Sequence, residues 1–195
     1  MGNPIRTVIG VSGSPRRDGN TDLAVREALR LLEARTGAET AFVRVSDYRI
    51  LPCRGCRACM QLGHCIIQED DFEGLMARFF AADLCVLGAP VYWLGPPGET
   101  KNFIDRTHGY YLNQSLLRGK EALILSVAAD SGFEPHEAVM ESWLRVYGAT
   151  VCGRVRLFAR EQGEVRQRPE EWAKIEALVE DYCARRQRMR RAPEP

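Results

Sequence analysis

Five short apolar runs are spaced along the chain, and each gives way to a loop and then to apolar residues recurring every three or four positions. Residues 7–11 are rich in β-branched side chains and predict a strand, after which Leu23, Val25, Ala28, Leu29 and Leu32 follow at helical spacing. Residues 41–45 predict a second strand. Asp70-Asp-Phe-Glu73 has the form of a capping box, and Leu75, Met76 and Phe79 supply an apolar face to the helix it would open. The continuous apolar run 83–88 suits a strand covered on both faces. Pro97 then suits the first turn of a helix carrying Lys101, Phe103 and Ile104. Residues 121–127 and 150–157 complete the strands. Helices are predicted over 134–147, with Val139, Met140, Trp143 and Leu144 inward, and over 169–186, with Trp172, Ile175, Leu178, Val179 and Tyr182 on one face.

Strands alternating with helices imply an α/β fold with a parallel sheet between two helical layers. Right-handed crossovers leave few topologies, and the five-stranded candidate is the doubly wound, flavodoxin-like order 2-1-3-4-5. Ligands of such sheets bind beyond the carboxyl ends of the strands. The chain has 195 residues, which fits one domain, read as residues 1–184 with a cysteine-rich loop at 47–69 and a basic tail at 185–195. A net charge of +1 gives no whole-protein argument for nucleic acid, and the arginines of the tail are read as a solvated helix end. The apolar run near the N-terminus is too short for a membrane span or the core of a signal peptide. Seven cysteines without an export signal point to a reducing compartment, and the cytoplasm is expected.

Three loops concentrate chemistry. After the first strand, Ser12-Gly-Ser-Pro-Arg-Arg-Asp-Gly-Asn-Thr21 combines turn-forming Gly13, Asp18 and Gly19 with the hydroxyls of Ser12, Ser14 and Thr21. Asn20 stands near the start of the following helix, and Arg16 offers a charge-assisted contact. Backbone N–H groups at a helix start favour a phosphate. The loop matches neither the Walker pattern nor G-x-G-x-x-G, so a mononucleotide phosphate is the expected anion. After the third strand, Pro90-Val91-Tyr92-Trp93 places aromatic side chains where a planar heterocycle would stack. After the fourth, Ala128-Ala-Asp130-Ser-Gly132 would close the pocket.

Between the second strand and the capping box, Cys53, Cys56, Cys59 and Cys65 fall within one short segment. Intervals of three, three and six let four thiolates meet one compact inorganic core, as in iron-sulfur proteins. Zinc, disulfides and a metal-free redox loop are the competing readings, although zinc sites usually join two separated cysteine pairs. His64 beside Cys65 is read as a neighbour of the site rather than a ligand. Lys101, Asp105 and Arg106 are read as an ion-paired helix face.

Taken in order, Ser12 to Thr21, the four cysteines, Asp70-Asp71, Ala89-Pro-Val-Tyr-Trp93 and Lys101-Asn-Phe-Ile-Asp-Arg106 resemble the NADPH-dependent FMN reductase superfamily, and within it the iron-sulfur flavoproteins. Gly95-Pro-Pro-Gly98 departs from the small polar run of that family. The resemblance implies non-covalent FMN, with Ser14, Arg16, Asn20 and Thr21 at its phosphate and Pro90 to Trp93 along its isoalloxazine. It also implies a [4Fe-4S] cluster on the four cysteines, close to flavin, in an oligomer whose subunits meet at these sites. A homodimer or homotetramer is expected. The function implied is an FMN-dependent oxidoreductase passing electrons between NAD(P)H or ferredoxin and a small-molecule or protein acceptor. A cluster-free NAD(P)H-dependent FMN or quinone reductase and a non-enzymatic electron carrier are the alternatives.

Overall fold

Alternating side chains of the strands feed two cores, one on each side of a central sheet. The computed structural model describes residues 4–191, with side chains to residue 189. Five parallel strands, β1 (Thr7–Ser12), β2 (Glu39–Arg44), β3 (Leu84–Pro90), β4 (Glu121–Ala128) and β5 (Thr150–Phe158), lie in the order β2-β1-β3-β4-β5. That is the order read from the sequence. Val8, Leu84, Val86, Leu123 and Leu125 point to one face, against α1 (Asn20–Thr36) and α7 (Pro169–Arg191). Ile9, Val11, Leu87 and Ile124 point to the other, against α3 (Phe72–Ala81), α4 (Gly98–Arg106) and α5 (Phe133–Val146). Each fully buried aliphatic side chain contributes about 1.5–3 kcal/mol relative to exposure.

Close approach sets how α1 seats on the sheet. A Cβ on Gly88 would lie 2.4 Å from Val25 Cγ2, so any larger residue would push the helix off β3. Two short helices, α2 (Cys59–Leu62) and α6 (Glu164–Gln167), lie in the loops after β2 and β5.

Three expectations change. The second strand begins at Glu39 and ends at Arg44, with Val45–Asp47 turning into a 3₁₀ helix. The capping box does not form, because all its acids are drawn into tertiary bonds. Asp70 pairs with Arg106, Asp71 accepts from Arg49 N at 2.7 Å, and Glu73 accepts from the Tyr110 hydroxyl rather than reaching back. Residues 185–191 continue α7 rather than forming a separate tail; residues 192–195 lie outside those described.

Candidate functional site

The loop after β1 is built around a carboxylate that the sequence reading passed over. Asp22, 1% exposed, accepts from Ser12 Oγ at 2.5 Å and from Asp18 N at 2.9 Å, which holds the turn against the start of α1. Burial raises its pKa, against the opposing effect of those two bonds and of the Arg44 charge. Asp18 sits at φ 54°, a conformation that Asp tolerates. Ser12 is wholly buried and belongs to this scaffold rather than to an open surface. On the far side, Thr100 Oγ1 donates to Gly13 O at 2.8 Å, fixing the loop to the first turn of α4.

Ser14, Arg16, Gly19, Asn20 and Thr21 line one cleft with Pro90, Val91 and Tyr92, so most of the first two predicted loops meet. The N-cap of α1 is Gly19, and no side chain caps the helix, leaving first-turn N–H groups for a ligand. Arg16 is exposed, and no ion pair engages it among the described residues. Four predicted residues fall outside the cleft lining: Ser12 and Asp18, which belong to the turn scaffold around Asp22, and Trp93 and Asp130. Trp93 is 100% exposed because Tyr92 and Gly95 bond reciprocally, at 2.8 and 3.0 Å, and turn the tip of the loop outward. Asp130 is exposed and faces Arg160 at 3.9 Å. The predicted third loop contributes Ala128 and Ala129, next to Val127 at the end of β4. A second group, Ala159, Arg160 and Gln162 after β5, is a wall that the motifs did not reveal. The second was findable only by giving the carboxyl end of β5 the same weight as the other strand ends.

The four clustered cysteines line a second cavity of about 370 Å³, together with Arg54, Arg57, Ile66, Ile67, Asp105, Arg106 and His108. Left-handed Gly55, Arg57 and Gly63 curl the segment so that all four cysteines line this space. Burial raises the Cys59 thiol, and the proximity of Cys65, Cys56 and Cys53 adds to the effect. Among the described residues no three Cys, His, Asp or Glu side chains could hold a single metal ion. Thiols spread around a cavity suit a larger inorganic core better than one tetrahedral zinc. Arg54, Arg57 and Arg106 complement the negative charge of such a core on thiolates. The histidine at this cavity is His108, whose Nδ1 lies 3.4 Å from Cys59 Sγ and whose ring stacks on Tyr111. His64 instead meets Cys65 O at 3.1 Å and does not line the space.

Both ends of the cysteine segment are tied to one buried cation. Arg106, 1% exposed, donates to Leu51 O at 2.8 Å and to Ile67 O at 3.0 Å, pairs with Asp70 and lies over the Phe72 ring. Asp70 also accepts from Leu51 N and Phe72 N. Burial opposes ionisation of Asp70, yet Arg106 and these N–H groups hold its pKa below the ordinary value. Lys101 and Asp105 form an exposed pair on the same helix, so the predicted ion-paired face is two separate arrangements. The loop after β1 is bonded to the first turn of α4 through Thr100, and Asp105 and Arg106 in the last turn of that helix line the cysteine cavity. One helix of 9 residues thus links the loop after β1 to the cysteine cavity.

The sequence model of the NADPH-dependent FMN reductase family matches residues 6–163. The chain belongs to the NADPH-dependent FMN reductase family. It is therefore an FMN-dependent oxidoreductase by family. An iron-sulfur flavoprotein of Methanosarcina thermophila is 31% identical over 148 residues, covering 75% of this chain and 76% of the relative. The iron-sulfur flavoprotein MJ1083 of Methanocaldococcus jannaschii is 44% identical over 100 residues, and that match spans only about half of either chain, 51% of each. Among solved structures, RosB holding an 8-demethyl-8-formylriboflavin-5′-phosphate intermediate superposes with a TM-score of 0.73 at 18% identity, over 97% of this chain and 82% of RosB. At that identity the likeness shows the fold alone. The family resemblance read from the motifs thus holds, and the electron-carrier alternative gives way to an oxidoreductase family.

Proposed function

We propose that the chain binds FMN in the cleft at the ends of β1, β3, β4 and β5, and a [4Fe-4S] cluster in the cavity of Cys53, Cys56, Cys59 and Cys65. The observation that carries the reading is the pairing of an uncapped α1 N-terminus and free Arg16 with the apolar wall of Pro90, Val91 and Ala128, all lining one cleft. When bound, FMN supplies two-electron chemistry and the cluster single-electron chemistry. The residues of the chain do the rest. Ser14, Gly19 and Thr21 hold the phosphate end with Arg16, while Pro90 to Tyr92 orient the ring system and exclude water from one side of it.

No side chain is assigned as a general acid or base. NAD(P)H, from the family description, is the proposed donor, with ferredoxin the alternative for a single-electron route. Exposed Leu62, Ile66 and Leu112 near the cysteines, with Trp93 and Leu94 beside the cleft, support a homodimer or homotetramer that covers both. Among the described residues no helix is long and apolar enough to cross a membrane, and the cysteine content supports a reducing compartment. Protein isolated without oxygen is expected to carry about one FMN and about four irons per chain, the latter from the ligand count. Flavin without iron, even after anaerobic reconstitution, would leave the cluster-free reductase standing. Protein that takes up no FMN would overturn the reading.

A further inference from the structure

Asn20 is expected at the ligand phosphate, yet both ends of its amide are engaged elsewhere. Nδ2 donates to Glu161 O at 2.8 Å, and Oδ1 accepts from Val165 N at 3.1 Å. A few residues away, Gln162 Nε2 donates to Arg17 O at 3.0 Å. These bonds join the loop after β1 to the segment after β5, 141 to 145 residues later in the chain. The segment is also fixed from within. Glu164 accepts from Arg160 N and Glu161 N, Ala159 N donates to Ala128 O, and Val165 is wholly buried. Its backbone is therefore a strap pinned along its length.

Arg160 is the exception on this strap. Its backbone is held, but its guanidinium is 69% exposed and has only a 3.9 Å contact with Asp130, itself 75% exposed. It lines the same cleft as Ser14, Arg16 and Thr21. An arginine on a fixed backbone, weakly engaged and facing a cleft with one other free cation, is arranged to receive an anion.

We propose that Arg160 is the second cation of the cleft and selects flavin phosphate over unphosphorylated flavin, and that Asn20 is a positioning residue that holds the Arg160 strap instead of a phosphate contact. The inference rests on the reading that flavin occupies this cleft. Arg16 reaches the anion from the β1 side and Arg160 from the β5 side. Asn20 aligns the second with the first.

The test is fluorescence titration of the flavin-depleted full chain with FMN and with riboflavin. Wild type is expected to prefer FMN. Arg160→Gln should lower that preference about tenfold or more through weaker FMN binding, with riboflavin affinity unchanged as the sign of an intact cleft. Arg160→Lys should keep much of the preference, since the charge remains. Asn20→Ala should also lower it, and should add little in the Arg160→Gln background, because both changes remove the same contact. An unchanged preference in Arg160→Gln overturns the role of Arg160 and would leave that side chain to an anionic group of the electron donor. An Asn20→Ala effect that persists in full without Arg160 overturns the positioning role. Wild type that binds riboflavin and FMN equally refutes the phosphate selection alone, whereas wild type that binds neither refutes the flavin reading beneath it.

Discussion

Arg106 holds a full charge at 1% exposure, and its neighbours show what it is for. It joins the entry of the cysteine segment at Leu51 to its exit at Ile67 and neutralises Asp70 between them. Removing one partner strands the other charge in the interior, so Asp70→Ala should lower the unfolding free energy by about 3–5 kcal/mol. Urea denaturation measures it, and a loss below 1 kcal/mol would show that water reaches the pair.

His136 is wholly buried on α5, and burial lowers its pKa below the ordinary 6.5 against the opposing effect of the nearby Gly95 and Ala89 backbone and the Glu137 charge. The unfolded chain then binds more protons than the folded one once the pH falls below about 6.5, so stability falls with it. His136→Gln should remove that part of the slope in denaturation curves taken between about pH 7 and 5. At this scale the sequence was half legible. Arg106 and Asp70 stand in recognised motifs, but their pairing across 36 positions leaves no local trace. Asn20 illustrates the converse: its place at a helix start suggested a ligand contact, and distant backbone groups claimed its amide.

Among the elements, the loop after β3 carries a visible anomaly. Trp93 and Leu94 occupy the two central positions of a two-residue turn with φ 46° and 65°, where Asn-Gly would be preferred. Bulky residues are strained there, and Trp93 gains no burial in return. Trp93→Asn should therefore raise thermal stability, by about 1 kcal/mol from the relief of strain. A fall in stability would show that the indole is covered in solution, as an oligomer contact would do.

The loop after β1 is constrained in the opposite sense. A Cβ on Gly13 would lie 2.1 Å from Thr100 Oγ1, so Gly13→Ala should separate the loop from α4. Overpacking of this kind costs about 1–3 kcal/mol. Weaker FMN binding should accompany it, and titration with FMN checks that. Strand and helix identities were legible because period-2 and period-3.6 patterns survive in the sequence. The capping box misled because a buried arginine competes for its first acid more strongly than a helix end does. The strap after β5 stayed hidden because residues 159–165 carry a lone glycine, Gly163, and none of the aromatic or clustered hydroxyl signals that mark the other loops.

For the whole molecule, the sheet order followed from chain order and crossover handedness, which is why it was readable in advance. The relation between the two sites was not. The cleft and the cysteine cavity share no lining residue, and α4 runs between the loop after β1, bonded at its first turn, and the cysteines at its last. Separation predicts independence in loading: Cys59→Ser should lose iron while keeping FMN affinity, as metal analysis and flavin titration would show.

The central claim is that one chain carries two redox centres, and counting electrons tests it most directly. Anaerobic reductive titration of the intact protein, followed by visible absorption and electron paramagnetic resonance, should consume about three electrons per chain, two for flavin and one for the cluster. A reduced-cluster signal should accompany them. Consumption of only about two electrons, with no iron signal in protein reconstituted with iron and sulfide, would contradict the claim.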